Sequence, residues 1–253
     1  MCGTQVVPLY NRLTTCVPQQ RQLKYNVLYY INTYSNIMNQ LTVLIDAGHG
    51  ENTPGKCSPD KVIREYQYNR EIAAALYDRL NKDARYNVIL ITPEETDIPL
   101  SERVNRINNY CDAYGSKNCI MVSIHLNAAG NGEWTSASGW ECYTTKGTTI
   151  SDNLSKCFYE AAYMVLDDGE KIRTDYSDGD ADIEAGFYII KHAACAAVLT
   201  ESFFMDGRED YKFLLSPEGF NKIVNIHVLG ISNYYFDYFD NDYKHPYVGR
   251  VRP

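Results

Sequence analysis

From Leu41 onward, apolar and polar positions alternate between a strand rhythm and a helix rhythm. Leu41–Asp46 (LTVLID) is a short apolar run that stops at Gly48-His49-Gly50, which predicts a buried strand ending in a turn. Ile72, Leu76 and Leu80 then repeat at helical spacing within 65–81. Asn87–Ile91 reads as a second strand. Leu100, Val104 and Ile107 mark a second helix, with Asp97 and Ser101 as candidate caps. Cys119–Ile124 predicts a third strand and Gly139–Tyr143 a fourth. Leu154, Phe158, Ala161 and Val165 form a helical stripe. Asp167–Glu184 is acidic and turn-rich, and reads as a surface loop. Phe187–Ile190 and Ala197–Glu201 predict two more strands. Ser216-Pro217 is a cap followed by proline at the first helical position, so a last helix runs through Phe220, Ile223, Val224 and Ile231 towards Tyr235. Residues 1–40 are rich in Asn, Gln and Tyr and weakly patterned, with one helix expected around 20–38. Strands alternating with helices predict an α/β fold: a mostly parallel, twisted sheet with helices on both faces. The expected organisation is an N-terminal extension (1–40), one domain (41–236) and a C-terminal tail (237–253).

The 253 residues suit one large domain or two small ones, and 45% apolar content suits a packed core. Apolar runs such as Ala193–Leu199 are too short for a transmembrane helix, so no membrane insertion is expected. The net charge of −8 argues against a nucleic-acid partner, and 13% aromatic content with 22 tyrosines argues against disorder. Charge is uneven. Residues 1–40 carry +3 and 244–253 carry +3, which leaves −14 on 41–243. Such basic ends meet an anionic surface, stay solvated, or pack on the acidic body. The aromatic stretch Tyr234–Tyr247 offers sugar stacking or packing. None of the eight cysteines has Cys-x-x-Cys spacing, and reduced, buried thiols are expected. There is no Lys or Arg before Arg12 and no continuous apolar stretch near Met1, so no signal peptide is recognisable, and synthesis in the cytoplasm is expected.

Four residues stand out by position. His49 follows the first strand by three residues, His125 follows the third directly, and Glu201 ends the last. Ligands of open α/β sheets bind outside the carboxyl ends of strands, so these three groups can converge although 76 residues separate each from the next. Glu65 shares one helical face with Asn69, Ile72, Leu76 and Leu80, which points it at the same crevice. Two His and one Glu are a recurrent ligand set for catalytic zinc, and a further carboxylate can move the proton. Taken singly, each has a plainer reading: a surface His, or a Glu placed for the helix dipole. Asp60, Glu71 or His192 fit a similar scheme.

Local sequence separates these readings. Ile45-Asp46-Ala47-Gly48-His49-Gly50 resembles the opening Asp-x-Gly-His-Gly motif of the zinc-dependent N-acetylmuramoyl-L-alanine amidases, the amidase 3 family. Glu65 with Asn69, Leu100 with Arg103, and Gly139–Tyr143 with Glu141 resemble further motifs of that family. Ser123-Ile124-His125-Leu126-Asn127-Ala128 matches its Ser-Ile-His-x-Asn-Ala element, and Ala197–Glu201 resembles the strand that ends in its catalytic Glu. The likeness spans about 41–235. It implies a Zn2+ cofactor held by His49, Glu65 and His125, with Glu201 as general base and acid and Asn127 at most orienting a ligand or the substrate. It implies peptidoglycan as substrate, cut at the amide between N-acetylmuramic acid and L-alanine. Glu51–Gly55 departs from the family's second Gly and acid, and the long 167–184 loop is also atypical. A cell-wall zinc peptidase and a non-catalytic peptidoglycan-binding module remain the alternatives. A catalytic domain with no recognisable leader or wall-binding repeat fits a phage or prophage endolysin that reaches the wall after release. A monomer is expected.

Overall fold

Every residue of Leu41–Ala47 is buried, as befits a strand covered on both faces. In the computed structural model, which describes residues 40–240, this run is β1. β2 (Tyr86–Leu90), β3 (Cys119–Asn127), β4 (Trp140–Thr144), β5 (Ile183–Glu184) and β6 (Ala196–Phe204) complete one sheet in the order β2-β1-β3-β6-β4-β5. β2, β1, β3 and β6 are mutually parallel, β4 runs antiparallel to β6, and β5 is parallel to β4. The helices are α1 (Glu65–Leu80), α2 (Leu100–Tyr114), α3 (Ile150–Val165), α4 (Tyr188–His192), α5 (Arg208–Leu214) and α6 (Pro217–Tyr234). This is the predicted α/β class.

The strand alternation sorts the interior into two cores. Ile45, Val122 and Val198 face one way, with Ile72 and Leu76 of α1, Phe158 of α3 and Ile223 of α6. Leu44, Met121 and Ala197 face the other way, with Val104 and Ile107 of α2 and Ile190 of α4. α3 opens with a capping box in which Thr149 and Asp152 exchange hydrogen bonds. α6 opens as predicted, with Ser216 accepting from the Gly219 N–H and Pro217 at the first position. No helix among the described residues is long and apolar enough to cross a membrane.

Several local expectations need correction. Phe187–Ile190 is not a strand: α4 covers Tyr188–His192 and buries Ile189 and Ile190 in the smaller core. The edge place at β4 is taken by Ile183–Glu184, from the stretch read as loop. β3 and β6 extend past their predicted ends, so His125 and Glu201 lie within strands. For β6 the reason is the antiparallel partner, since Trp140 pairs with Ser202 beyond the expected stop. α2 has no side-chain cap; Pro99 stands at its N-cap, and Asp97 instead accepts from Arg103 and Thr53. All six described cysteines are free, and five of them are buried. Of the aromatic tail, Tyr234 and Tyr235 are packed in the core. The expected helix at 20–38, Cys2, Cys16 and the tail beyond 240 lie outside the described residues.

Candidate metal centre

The first site residue sits on a turn held by side chains. Three successive carbonyls leave β1 and each is claimed. Ala47 O accepts from Arg103 Nη1 at 2.9 Å and from Thr92 Oγ1 at 3.2 Å. Gly48 O accepts from Asn69 Nδ2 at 3.3 Å. His49 O accepts from Arg70 Nη1 at 3.1 Å and Arg103 Nη2 at 3.2 Å. His49 itself is in the left-handed region, at φ 61°, which costs a side-chain-bearing residue about 1–2 kcal/mol. The bonds to its carbonyl hold that backbone in place. Gly48 is small because a Cβ there would lie 2.2 Å from the His125 ring.

Arg103 is the hub of this turn. It is 2% exposed, and all five guanidinium N–H groups are used: Nε to Ile98 O, Nη1 to Asp46 Oδ1 and Ala47 O, Nη2 to His49 O and Asp97 Oδ1. Asp46 also accepts from Ser123 Oγ at 2.7 Å. The buried charge is therefore paired and fully hydrogen-bonded, the condition under which burial of a guanidinium is tolerated.

Glu65 starts α1, and the apolar stripe behind it docks the helix on the sheet. Its Oε1 lies 3.0 Å from His125 Nδ1 and 3.3 Å from His49 Nε2, and accepts from Leu126 N–H at 3.2 Å. Burial opposes charge on Glu65, yet the hydrogen bonds to His125 and His49 hold its carboxyl well below the usual carboxylate range. Burial likewise opposes a charged His125, but the bond to Glu65 and the nearby carboxylates raise its pKa. The two imidazoles meet edge to face, with centroids 4.9 Å apart. One ligand atom from each of His49, Glu65 and His125 falls within 4.8 Å of the other two. Glu65 Oε2 is buried and has no hydrogen-bond partner among the described residues. A cation is the partner such a donor set suits, so the residues present fit a divalent ion.

Glu201 stands opposite His125 in the parallel register of β3 and β6, so both side chains leave the same face of the sheet. Burial pushes its carboxyl up to about 8, and Glu65 and Glu141 push the same way against His125 and Lys56. Its Oε2 is buried and unpartnered among the described residues. Glu141 lies opposite Glu201 in the antiparallel register. Asn127 donates from Nδ2 to Glu141 Oε1, and its own Oδ1 accepts from Ala128 N–H at 2.8 Å. Asn127 thus links the β3 turn to Glu141.

All four predicted residues therefore come together, three as a cluster and Glu201 beside it. Asp60, Glu71 and His192 are not part of the cluster: Asp60 accepts from Ser58 and Tyr211, Glu71 accepts from Gln67, and His192 packs on Tyr188. Sequence reasoning left without a task Arg70 and Arg173, which no pattern in the sequence marks.

A family model described as N-acetylmuramoyl-L-alanine amidase matches residues 43–233. The chain is 26% identical over 196 residues to "N-acetylmuramoyl-L-alanine amidase CwlM" of Bacillus licheniformis, covering 75% of this chain and 67% of that protein. It is 25% identical over 201 residues to an endolysin of Bacillus phage SPP1, covering 75% of this chain and 64% of that protein. The match thus spans about two thirds of each of these relatives. Among solved structures, that of N-acetylmuramoyl-L-alanine amidase from Clostridium difficile 630 superposes with a TM-score of 0.64 at 26% identity, over 78% of this chain and 97% of that one. With three quarters of its length matched and the His-Glu-His cluster in place, the chain belongs to the N-acetylmuramoyl-L-alanine amidase family.

Proposed function

We propose that the protein hydrolyses the amide between the lactyl group of N-acetylmuramic acid and the L-alanine of the stem peptide in peptidoglycan, using zinc held by His49, Glu65 and His125. The observation that carries this reading is the three-residue donor set with Glu201 beside it and outside it. Zinc is favoured over calcium or magnesium because two of the three donors are imidazole nitrogens. When bound, the metal would supply Lewis acidity to the attacking water and to the scissile carbonyl.

The chain's own residues supply the rest. Glu201, with its carboxyl raised by burial, takes the proton of the attacking water and returns it to the leaving L-alanine nitrogen. Glu65 serves from a rigid helix start, and the Arg70 and Arg103 bonds to the His49 carbonyl fix the other end of the donor set. Asn127, tied to Glu141, keeps the end of β3 in place. A module that only held peptidoglycan has no use for an unpartnered carboxylate beside three donors.

The test is digestion of purified peptidoglycan followed by mass analysis, with metal content measured on the same protein. Intact stem peptides with a free L-alanine amine, and about one zinc per chain, are expected. Fragments cut within the stem would instead make the protein a peptidase, and binding without products would make it a binding module.

A further inference from the structure

Arg173 comes from the acidic stretch between α3 and β5, yet its side chain ends at the catalytic edge of the sheet. The backbone around it is tied to the start of β4: Trp140 N–H donates to Lys171 O, Arg173 N–H donates to Trp140 O, and Tyr159 OH donates to Arg173 O. Gly139, at φ 127°, gives the aliphatic stem its space, since a Cβ there would lie 2.8 Å from Arg173 Cγ. The guanidinium then lies over the Phe204 ring at 5.2 Å, three residues past Glu201. Nε donates to Glu141 Oε2 at 2.5 Å, and Glu141 stands opposite Glu201.

Only Nε is engaged this way. Glu141 is 2% exposed and also accepts from Asn127 and Tyr143, whereas the Arg173 side chain is 39% exposed. The edge formed by Nη1 and Nη2 therefore has no hydrogen-bond partner among the described residues, and it is the edge that takes a carboxylate in a two-point grip. Two carboxylates, Glu141 and Glu201, face each other across β4 and β6 beside it. A fixed cation beside these two carboxylates offsets their repulsion of an anionic substrate group.

We infer that Arg173 anchors the substrate by gripping a carboxylate of the stem peptide close to the scissile amide, so that the site prefers stems with a free carboxylate to stems in which it is amidated. This rests on the amidase reading proposed above. Phe204 below and Glu141 at Nε hold the guanidinium flat and oriented, which limits the entropy lost on binding.

The experiment compares two synthetic muramyl peptides that differ only in a free or amidated carboxyl on the residue after L-alanine. Wild type, Arg173→Gln and Arg173→Lys are assayed on both, with thermal melts to check folding. Wild type is expected to favour the free acid by about tenfold or more in kcat/KM, chiefly through KM. Arg173→Gln should lose that preference, its kcat/KM on the free acid falling to the level it shows on the amidated peptide, and Arg173→Lys should recover part of it. An equal loss on both peptides, or a loss confined to kcat, overturns the inference and makes Arg173 a support for Glu141. Equal use of both peptides by wild type overturns it too, while leaving the amidase reading intact. No turnover of either by wild type overturns the amidase reading, and this inference falls with it.

Discussion

At the scale of single residues, the site depends on who holds whom. Glu201 is positioned by strand pairing alone, so replacing its carboxylate with an amide changes charge without changing place. Glu201→Gln is expected to keep the metal content of wild type and to lower turnover by about 10²–10⁴-fold, the usual span for a removed proton-transfer group. Metal analysis beside a peptidoglycan turbidity assay checks it, and near wild-type turnover would remove Glu201 from the mechanism. Arg103 is the reverse case, remote from the chemistry but bonded to five acceptors, two of them backbone carbonyls of the His49 turn. Lysine offers one ammonium where the guanidinium offers a fork. Arg103→Lys should destabilise the fold by about 3 kcal/mol or more and weaken metal binding by about tenfold or more. Denaturant melts and chelator competition measure the two effects separately. Wild-type metal affinity in a folded Arg103→Lys protein would show that the turn holds His49 without the arginine.

At the scale of elements, α6 meets β6 through a buried histidine. His227 is fully buried beside Phe158; its Nδ1 lies 2.8 Å from Ile223 O, and Thr200 Oγ1 lies 3.0 Å from its Nε2. One tautomer satisfies both contacts: Nδ1–H donates to the carbonyl and Nε2 accepts from the hydroxyl. Burial pushes the imidazole down to about 4 from an ordinary 6.5. Between those values the unfolded chain binds a proton that the folded chain refuses. The stability that a neutral His227 secures is therefore complete above about 6.5 and is lost as pH falls through about 4, a change of about 3 kcal/mol. His227→Gln removes this dependence. The gap in stability between wild type and His227→Gln should shrink in favour of the variant as pH is lowered from 7 to 4. A constant gap in melts across that range would place the acid sensitivity elsewhere.

At the scale of the whole molecule, the sheet is built before any metal is needed. The His49 turn, Glu65 and His125 are held by hydrogen bonds among protein groups and by two apolar cores. Chelation is thus expected to abolish turnover and leave the far-ultraviolet spectrum of the fold in place. The melting temperature should still depend on zinc concentration, by about 2.7 kcal/mol of stabilisation at a hundredfold excess over Kd, because only the folded chain assembles the three donors. Unfolding on chelation would make the metal part of the fold itself.

The sequence by itself determined the fold class and five of the six strands, and it marked the four residues that the fold brings together, because hydrophobic period and short motifs are local signals. The Gly48-His49-Gly50 turn after a buried run, and Glu65 at the head of an apolar stripe, are legible without coordinates. Tertiary structure decided what depends on a partner distant in the chain. The four-residue apolar run ending at Ile190 fits a strand or a helix turn equally well, and only the place of Ile189 and Ile190 in the smaller core selected the helix. The ends of β3 and β6 were set by their neighbours rather than by composition, which moved His125 and Glu201 from strand ends to strand interiors. Arg70, Arg103 and Arg173 acquired their tasks in the same way, since a guanidinium's role is fixed by the acceptors it meets, and those come from other elements of the fold.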